Sequence, residues 1–445
     1  MSTRFVPPVS RFGVFSSAVV QRARHRGNAD GRPQRAATFA AFVSHGLLFA
    51  SWAAHIPHVK AHLGLTYGAL GLALLGAPLG SVSATMICTR LLPRAGSRRM
   101  VQMSLVGYCL SGPLVGLAAS RSELFAALVA WGAFQGTLDV SMNTQAVAVE
   151  RAEARPLMSG FHASWSIGAF AGAGIGAIGV AAGISLTDQL VLLGAAVLAI
   201  AYPLTRRMLP DGARPAGTDR RTDRRATGGP RLRLSRSRPV LVLGAIAFAS
   251  MLCEGASADW SSVFLRGPLH ASAAIAGLAY TAFSMTMVVV RLLGNRLTAS
   301  FPSRRMLPAL AGIATVGFTA GLLSRTAGAA IAGFAFLGIG VALIIPTVNS
   351  AAGRLPGLSP GTAISMVSTC GWAGFVFGPP IIGALASATT LTAALGVLPL
   401  LTACIVAATA RTRALRAASP QQLGVTVAEQ RRRDPDDARS DDHHE

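Results

Sequence analysis

Long runs of apolar residues, separated by short polar loops, set the pattern of this chain. Ala36–Ile56, Met100–Ala119, Leu190–Leu204 and Ala327–Pro346 hold almost no charge. The apolar positions do not alternate as they would in a half-buried strand. They run for the roughly 20 residues an α-helix needs to cross the hydrocarbon core with its backbone hydrogen bonds satisfied internally. The pattern predicts about twelve spans, at 36–57, 67–92, 100–119, 124–148, 157–182, 187–205, 239–264, 274–297, 306–324, 327–348, 360–386 and 391–410.

Composition supports this reading: 51% of the chain is hydrophobic and 13% charged, against roughly a quarter charged in soluble domains. The 48 glycines sit largely inside the spans, where small residues let helices approach closely. A net charge of +22 would point to nucleic acid in a soluble protein. Here the arginines lie between and outside the apolar blocks, so they read as topology determinants, and no nucleic-acid partner is expected. Arg94, Arg98 and Arg99, then Arg151 and Arg155, the run 206–238, Arg304 and Arg305, and Arg354 fall on one side. Lys60, Arg121, Arg266 and Arg325 fall on the other. The positive-inside rule places both termini on the cytoplasmic side of the inner membrane.

Domain organisation follows from the same distribution. Residues 1–35 and 411–445 read as polar, disordered cytoplasmic tails, and the apolar run Val14–Val20 is short for a signal peptide. Two six-helix halves, 36–205 and 239–410, flank a basic cytoplasmic linker at 206–238. The five cysteines lie in apolar segments without CxxC pairing, so neither a disulfide framework nor a metal site is expected. No cofactor is indicated, and the chain reads as a monomer.

Shifting the chain on itself by 206 residues exposes an internal repeat. Gly71-Leu72-Ala73 meets Gly277-Leu278-Ala279, and Ser97-Arg98-Arg99-Met100 meets Ser303-Arg304-Arg305-Met306. Asn143 meets Asn349, Gly168 meets Gly374 and Gly172 meets Gly378. Two parallel six-helix repeats are an architecture in which one half rocks against the other around a central site. Residues shared by both halves read as scaffold, and polar residues found in one half only read as candidates for chemistry. At this offset Asp139 faces Ile345, Glu254 faces Leu48, His162 faces Ser368 and Asp259 faces Ala53.

The loop ends Arg94-Ala95-Gly96-Ser97-Arg98-Arg99 and Ser303-Arg304-Arg305 resemble the basic end of the loop between helices 2 and 3 of the major facilitator superfamily, and its counterpart between helices 8 and 9. The resemblance covers roughly residues 36–410. Thr89 and Pro93 stand where the usual loop has Gly and Asp, which removes the acidic partner of a gating latch built on these arginines. Asp139-Val140-Ser141-Met142-Asn143, Phe161-His162-Ala163-Ser164-Trp165-Ser166, Glu254-Gly255-Ala256-Ser257-Ala258-Asp259-Trp260-Ser261 and Gly378-Pro379-Pro380-Ile381-Ile382-Gly383 are similar to the YbjJ-like branch. A looser likeness links the chain to fucose permeases. The resemblance implies a twelve-helix carrier whose substrate is a small molecule, a sugar or polyol being conceivable.

Ionisable side chains in mid-membrane are costly and usually face a polar cavity. Gln135, Asp139 and Asn143 recur every four residues on one face of span 4. Asp139, about 22 Å from the outer end at 1.5 Å per residue, is a candidate proton-binding carboxylate, because desolvation penalises its charged form. Glu254 is the second candidate, on a stripe of span 7 with Ser250, Ser257 and Ser261. The same positions also suit plain interhelical hydrogen bonds. Asp259 reads instead as the partner of Arg266 in a structural salt bridge, and Trp260 as part of an interfacial aromatic belt. In span 5, Ser159, His162 and Ser166 align beside Trp165. His45 and Trp52 share a face of span 1, and Trp52 and Trp372 are suited to stacking a flat or sugar-like solute. His55, His58 and His62 do not recruit further ligand types, so a metal patch is discounted. Pro379-Pro380 should break or kink span 11.

These features favour a secondary active carrier working by alternating access and coupled to H+. Neither a phosphate loop nor an HExxH or GxSxG constellation occurs, so an ATP-driven pump and an intramembrane enzyme are disfavoured. Efflux of lipophilic compounds, or a membrane receptor or scaffold that binds without transport, remain the alternatives.

Overall fold

The computed structural model describes residues 32–153, 157–210, 234–355, 358 and 360–412. Most of the expected tails and of the linker lie outside them; residues 32–35, expected in the disordered tail, already belong to the helix Arg32–Ser51. Among the described residues the regular structure is helical. Twelve helical segments are long and apolar enough to cross a membrane: Arg32–His62, Tyr67–Cys88, Ser97–Leu117, Arg121–Glu153, Gly160–Ala181, Leu186–Thr205, Arg238–Arg266, Ala273–Gly294, Ser303–Leu323, Ala327–Ala352, Ala363–Ala388 and Leu391–Arg411. They are called spans 1 to 12 below.

The two-half architecture is plain in the helix ends. Ser97–Leu117 and Ser303–Leu323 have bounds 206 residues apart at both ends, and the helices starting at Arg121 and Ala327 keep the same offset. Caps repeat as well. Thr66 and Ser272 accept hydrogen bonds from the amides of Ala69 and Ile275, and Ser120 and Thr326 from those of Glu123 and Ala329. With Ser185 and Thr390, every even-numbered span starts on a Ser or Thr that satisfies one otherwise orphaned amide. All six caps lie at the end of the bundle remote from the described termini.

Breaks in the spans follow proline. A proline removes the bond to the carbonyl four residues back and crowds it. Pro78, Pro346 and Pro399 lie four residues after Leu74, Ala342 and Leu395, where spans 2, 10 and 12 lose α-helical continuity. Pro57 stands in the same relation to Ala53, which opens the 3-10 turn Ala53–His55 in span 1. Of the break or kink expected in span 11, the break does not occur: the helix Pro360–Ala388 runs unbroken through Pro379 and Pro380. Its missing donors are absorbed without a change of helix type.

Within each half, glycines set the closest contacts. A Cβ on Gly168 would run into the Val43 carbonyl, and one on Gly374 into that of Phe248. Spans 1 and 5 therefore pack as spans 7 and 11 do. Val43 and Phe248 are 205 residues apart, so the repeat slips by one in span 7 and Glu254 corresponds to Phe49 rather than Leu48. The halves meet where span 5 packs on span 8 and span 2 on span 11. Remote from the termini, Ser387 Oγ accepts from the Gly68 amide at 2.8 Å, and Ser262 Oγ donates to Ala53 O at 2.6 Å. Trp260 is fully buried against Tyr67 there, with ring centroids 6.4 Å apart. It packs between the halves and is not part of an interfacial belt.

Candidate functional site

A cavity between the halves takes walls from spans 1, 2, 4, 7 and 11 and holds about 490 Å³ of empty space, open solvent included. Its surface is mainly apolar, with the aromatic residues Phe49, Trp52, Trp131, Trp372 and Phe375, and its polar side chains are Ser81, Gln135 and Asp259. Trp52 stands edge-on to Trp131 at 6.1 Å, and Trp372 edge-on to Phe375 at 5.9 Å. Phe49 and Phe375 meet across the halves at 6.1 Å. Aromatic geometry of this kind holds rings rigid at low entropic cost. The expectation for Trp52 and Trp372 thus acquires a shared cavity, with Gln135 on the same wall.

Asp259 overturns an expectation. Arg266 is turned away, donating from Nη1 to Ala271 O at 2.8 Å. The half-buried Asp259 carboxylate borders the cavity instead, and among the described residues neither ion pair includes it. Periodicity placed it on a different face from Glu254, which is correct, but the neighbours of that face are supplied by other spans.

Glu254 differs in the opposite way. Sequence reading left it unpaired; Arg291 Nη2 lies 3.6 Å from its carboxylate. Arg291 also donates from Nη1 to Ser166 Oγ of the other half at 2.9 Å, and from Nε to Ala342 O at 3.3 Å. That carbonyl is the one Pro346 frees in span 10. Arg291 thus ties spans 5, 7, 8 and 10 together, beside a second cavity of about 200 Å³ bordered by Trp165, Ser166, Glu254 and Tyr280. His162 lies within electrostatic reach of Arg291 and edge-on to Phe42 at 5.5 Å. The side chain of Ser159 lies outside the described residues. Sequence analysis missed Arg291, although the repeat carried the signal: it faces Thr85 at the 206 offset and interrupts Val288–Leu293.

Asp139 lies one turn beyond Gln135 and borders neither cavity. The amide of Asn143 donates to its carboxylate at 3.1 Å and to its backbone carbonyl at 2.8 Å, so the face-sharing of span 4 becomes a local bond. Asp139 and Glu254 therefore have separate surroundings. Ser257 is fully buried and donates to Cys253 O at 2.8 Å, which makes it a packing residue away from the cavities. Arg94 donates to Arg90 O at 3.2 Å; Arg99, Arg304 and Arg305 are exposed and Arg98 half-buried.

His45 is buried and accepts a 2.6 Å bond from Trp165 Nε1 at Nδ1. The bond selects the neutral tautomer with its proton on Nε2. Its ring lies 5.8 Å from Tyr108, which stacks on Trp131 at 5.1 Å, so the aromatic wall continues into the N-terminal half. His45→Phe is expected to lower stability by about 1–3 kcal/mol, since it strands the Trp165 N–H. A melting curve of the purified variant checks this, and Trp165→Phe in the same background should add little. His55 bonds Gln189 Oε1 at 3.0 Å, and no metal-type cluster is found among the described residues.

Comparison with known proteins decides the family. The Major Facilitator Superfamily model matches residues 37–267 and 243–434. The chain belongs to the major facilitator superfamily. It is 32% identical over 375 residues to an uncharacterised MFS-type transporter of Yersinia pestis, covering 83% of this chain and 94% of that one. It is 29% identical over 356 residues to the membrane protein MosC of Rhizobium meliloti, covering 80% and 84%. In fold it resembles a point mutant of the nucleoside transporter NupG, with TM-score 0.65, 14% identity and coverage of 84% and 98%. It also resembles a D-xylose–proton symporter, with TM-score 0.65, 14% identity and coverage of 85% and 96%. This superfamily member is a multi-pass membrane transporter, not an enzyme, and its substrate is a small molecule.

Proposed function

We propose that this transporter carries a small polar solute with a flat or ring-shaped face across the cytoplasmic membrane, by alternating access and coupled to protons, with both termini cytoplasmic. The observation that carries the reading is the aromatic cavity between the halves. Trp52, Trp131 and Trp372 line it, while Gln135, Ser81 and Asp259 supply hydrogen-bonding groups. Sites of this composition, largely apolar with a few polar groups that fix orientation, suit small ligands. The fold relatives named for a nucleoside and for D-xylose with a proton lend support.

Proton coupling is assigned to Glu254 and Asp139. A proton on Glu254 removes the charge that holds Arg291 and so loosens a bond network joining the halves. A carboxylate that changes charge while its surroundings alternate links proton uptake to the rocking motion.

Proton movement and isotope uptake in proteoliposomes test the reading, with sugars, polyols, nucleosides, organic acids and lipophilic cations as challenges. Glu254→Gln is expected to abolish solute-driven proton flux, and Asp139→Asn to reduce it at least tenfold. Uptake that persists without proton movement would remove both acids from coupling. Movement of lipophilic compounds alone would favour efflux.

A further inference from the structure

Span 7 carries two carboxylates five residues apart, and the structure treats them oppositely. Glu254 has its cation, Arg291, at 3.6 Å. Asp259 has none: Arg266 bonds a backbone carbonyl, and neither ion pair of the described residues reaches Asp259. An intramembrane carboxylate without a counter-charge is costly and is ordinarily paired. The cavity that Asp259 borders is largely apolar, with Trp52, Trp131 and Trp372 among its walls.

Aromatic rings have a negative face and a positive edge, so a cation is attracted wherever it can sit over a ring face. A lone carboxylate adds to the same preference. The remaining polar groups, the Gln135 amide and the Ser81 hydroxyl, accept or donate equally well and suit hydroxyls. The counter-charge missing from the protein would thus arrive with the solute.

We propose that Asp259 is a specificity-determining residue, and that the solute is a polar compound bearing a protonated amino or quaternary ammonium group, which pairs with its carboxylate inside the tryptophan-walled cavity. This rests on the reading that the central cavity is the transport site, and it narrows the substrate class. The ammonium approaches Asp259 while ring or hydroxyl portions of the solute lie on Trp52 and Trp372. Organic anions are excluded by the same charges.

Binding separates this inference from the transport reading. Three of the five tryptophans border the cavity, so their emission is titrated in nanodisc-reconstituted protein at pH 7. Glucosamine is compared with glucose, and choline with its neutral isostere 3,3-dimethylbutan-1-ol. The cationic member of at least one pair is expected to bind tenfold or more tighter. Asp259→Asn should bring that pair within threefold, while Asp259→Glu keeps part of the preference. Equal binding within both pairs, no binding by any of the four, or a preference that survives in a folded Asp259→Asn protein would overturn the assignment. Should the Asn variant fail to fold, the wild-type pairs decide by themselves. Proton-coupled uptake of neutral solutes alone would leave the transport reading standing and this inference refuted.

Discussion

Arg291→Met is expected to abolish transport and to destabilise the protein by about 1–3 kcal/mol, the cost of removing charged hydrogen bonds from a partly buried site and leaving Glu254 without its cation. The guanidinium directs Nη2 to Glu254, Nη1 to Ser166 and Nε to Ala342 O. Methionine keeps much of the stem volume and none of these bonds. Arg291→Lys keeps the charge, but an ammonium is a point donor without the planar fork, so it should hold Glu254 while releasing Ser166 or Ala342. An intermediate melting temperature with at least a tenfold loss of uptake is expected. The double variant Glu254→Gln/Arg291→Met should recover more than half of the lost stability and no transport. Near-wild-type uptake by Arg291→Met would sink the role assigned to this network.

Gly71→Val is expected to shift the protein toward a state open at the end remote from the termini. A Cβ on Gly71 would stand 2.5 Å from Pro379 O and 3.1 Å from the Cα of Gly383, and one on Gly383 would stand 2.7 Å from Tyr67 O. Backbone atoms cannot rotate away, so the added methyls hold spans 2 and 11 apart. The overpacking, about 1–3 kcal/mol, is felt only when the halves are closed at this end. Because the penalty differs between states, the equilibrium moves by roughly 5- to 150-fold. Spin labels at the exposed positions His62 and Thr389 would report the widening as a longer distance distribution. Gly174→Val, where the added atom meets open space, is the control. A distribution identical to wild type in Gly71→Val would refute the closed-state argument.

The twelve spans and the duplication were legible in the sequence because each rests on a pattern along the chain itself. Hydropathy over some twenty residues defines a span, and a proline acts on the carbonyl four residues back whatever surrounds it. Even so, the break that local reading allowed at Pro379-Pro380 does not occur, since the loss of two donors does not say whether the helix ends or carries on through them.

The candidate site divides along the same line. Its inventory was visible: Asp139, Glu254, Asp259, Gln135, Trp52 and Trp372 stand out as polar or aromatic residues in apolar runs. Helical period also showed that Glu254 and Asp259 face differently. Which of them is paired, and by what, depends on spans 5, 8 and 10, and a period has no knowledge of neighbouring helices. Arg291 reaches Glu254 because span 8 packs between spans 5 and 10, and it finds a free acceptor because Pro346 exposes one. The sequence by itself thus determined the membrane architecture and the residues available for chemistry. Only the tertiary structure decided their partners, because electrostatic and hydrogen-bonding neighbours across helices are set by packing between residues far apart in the chain.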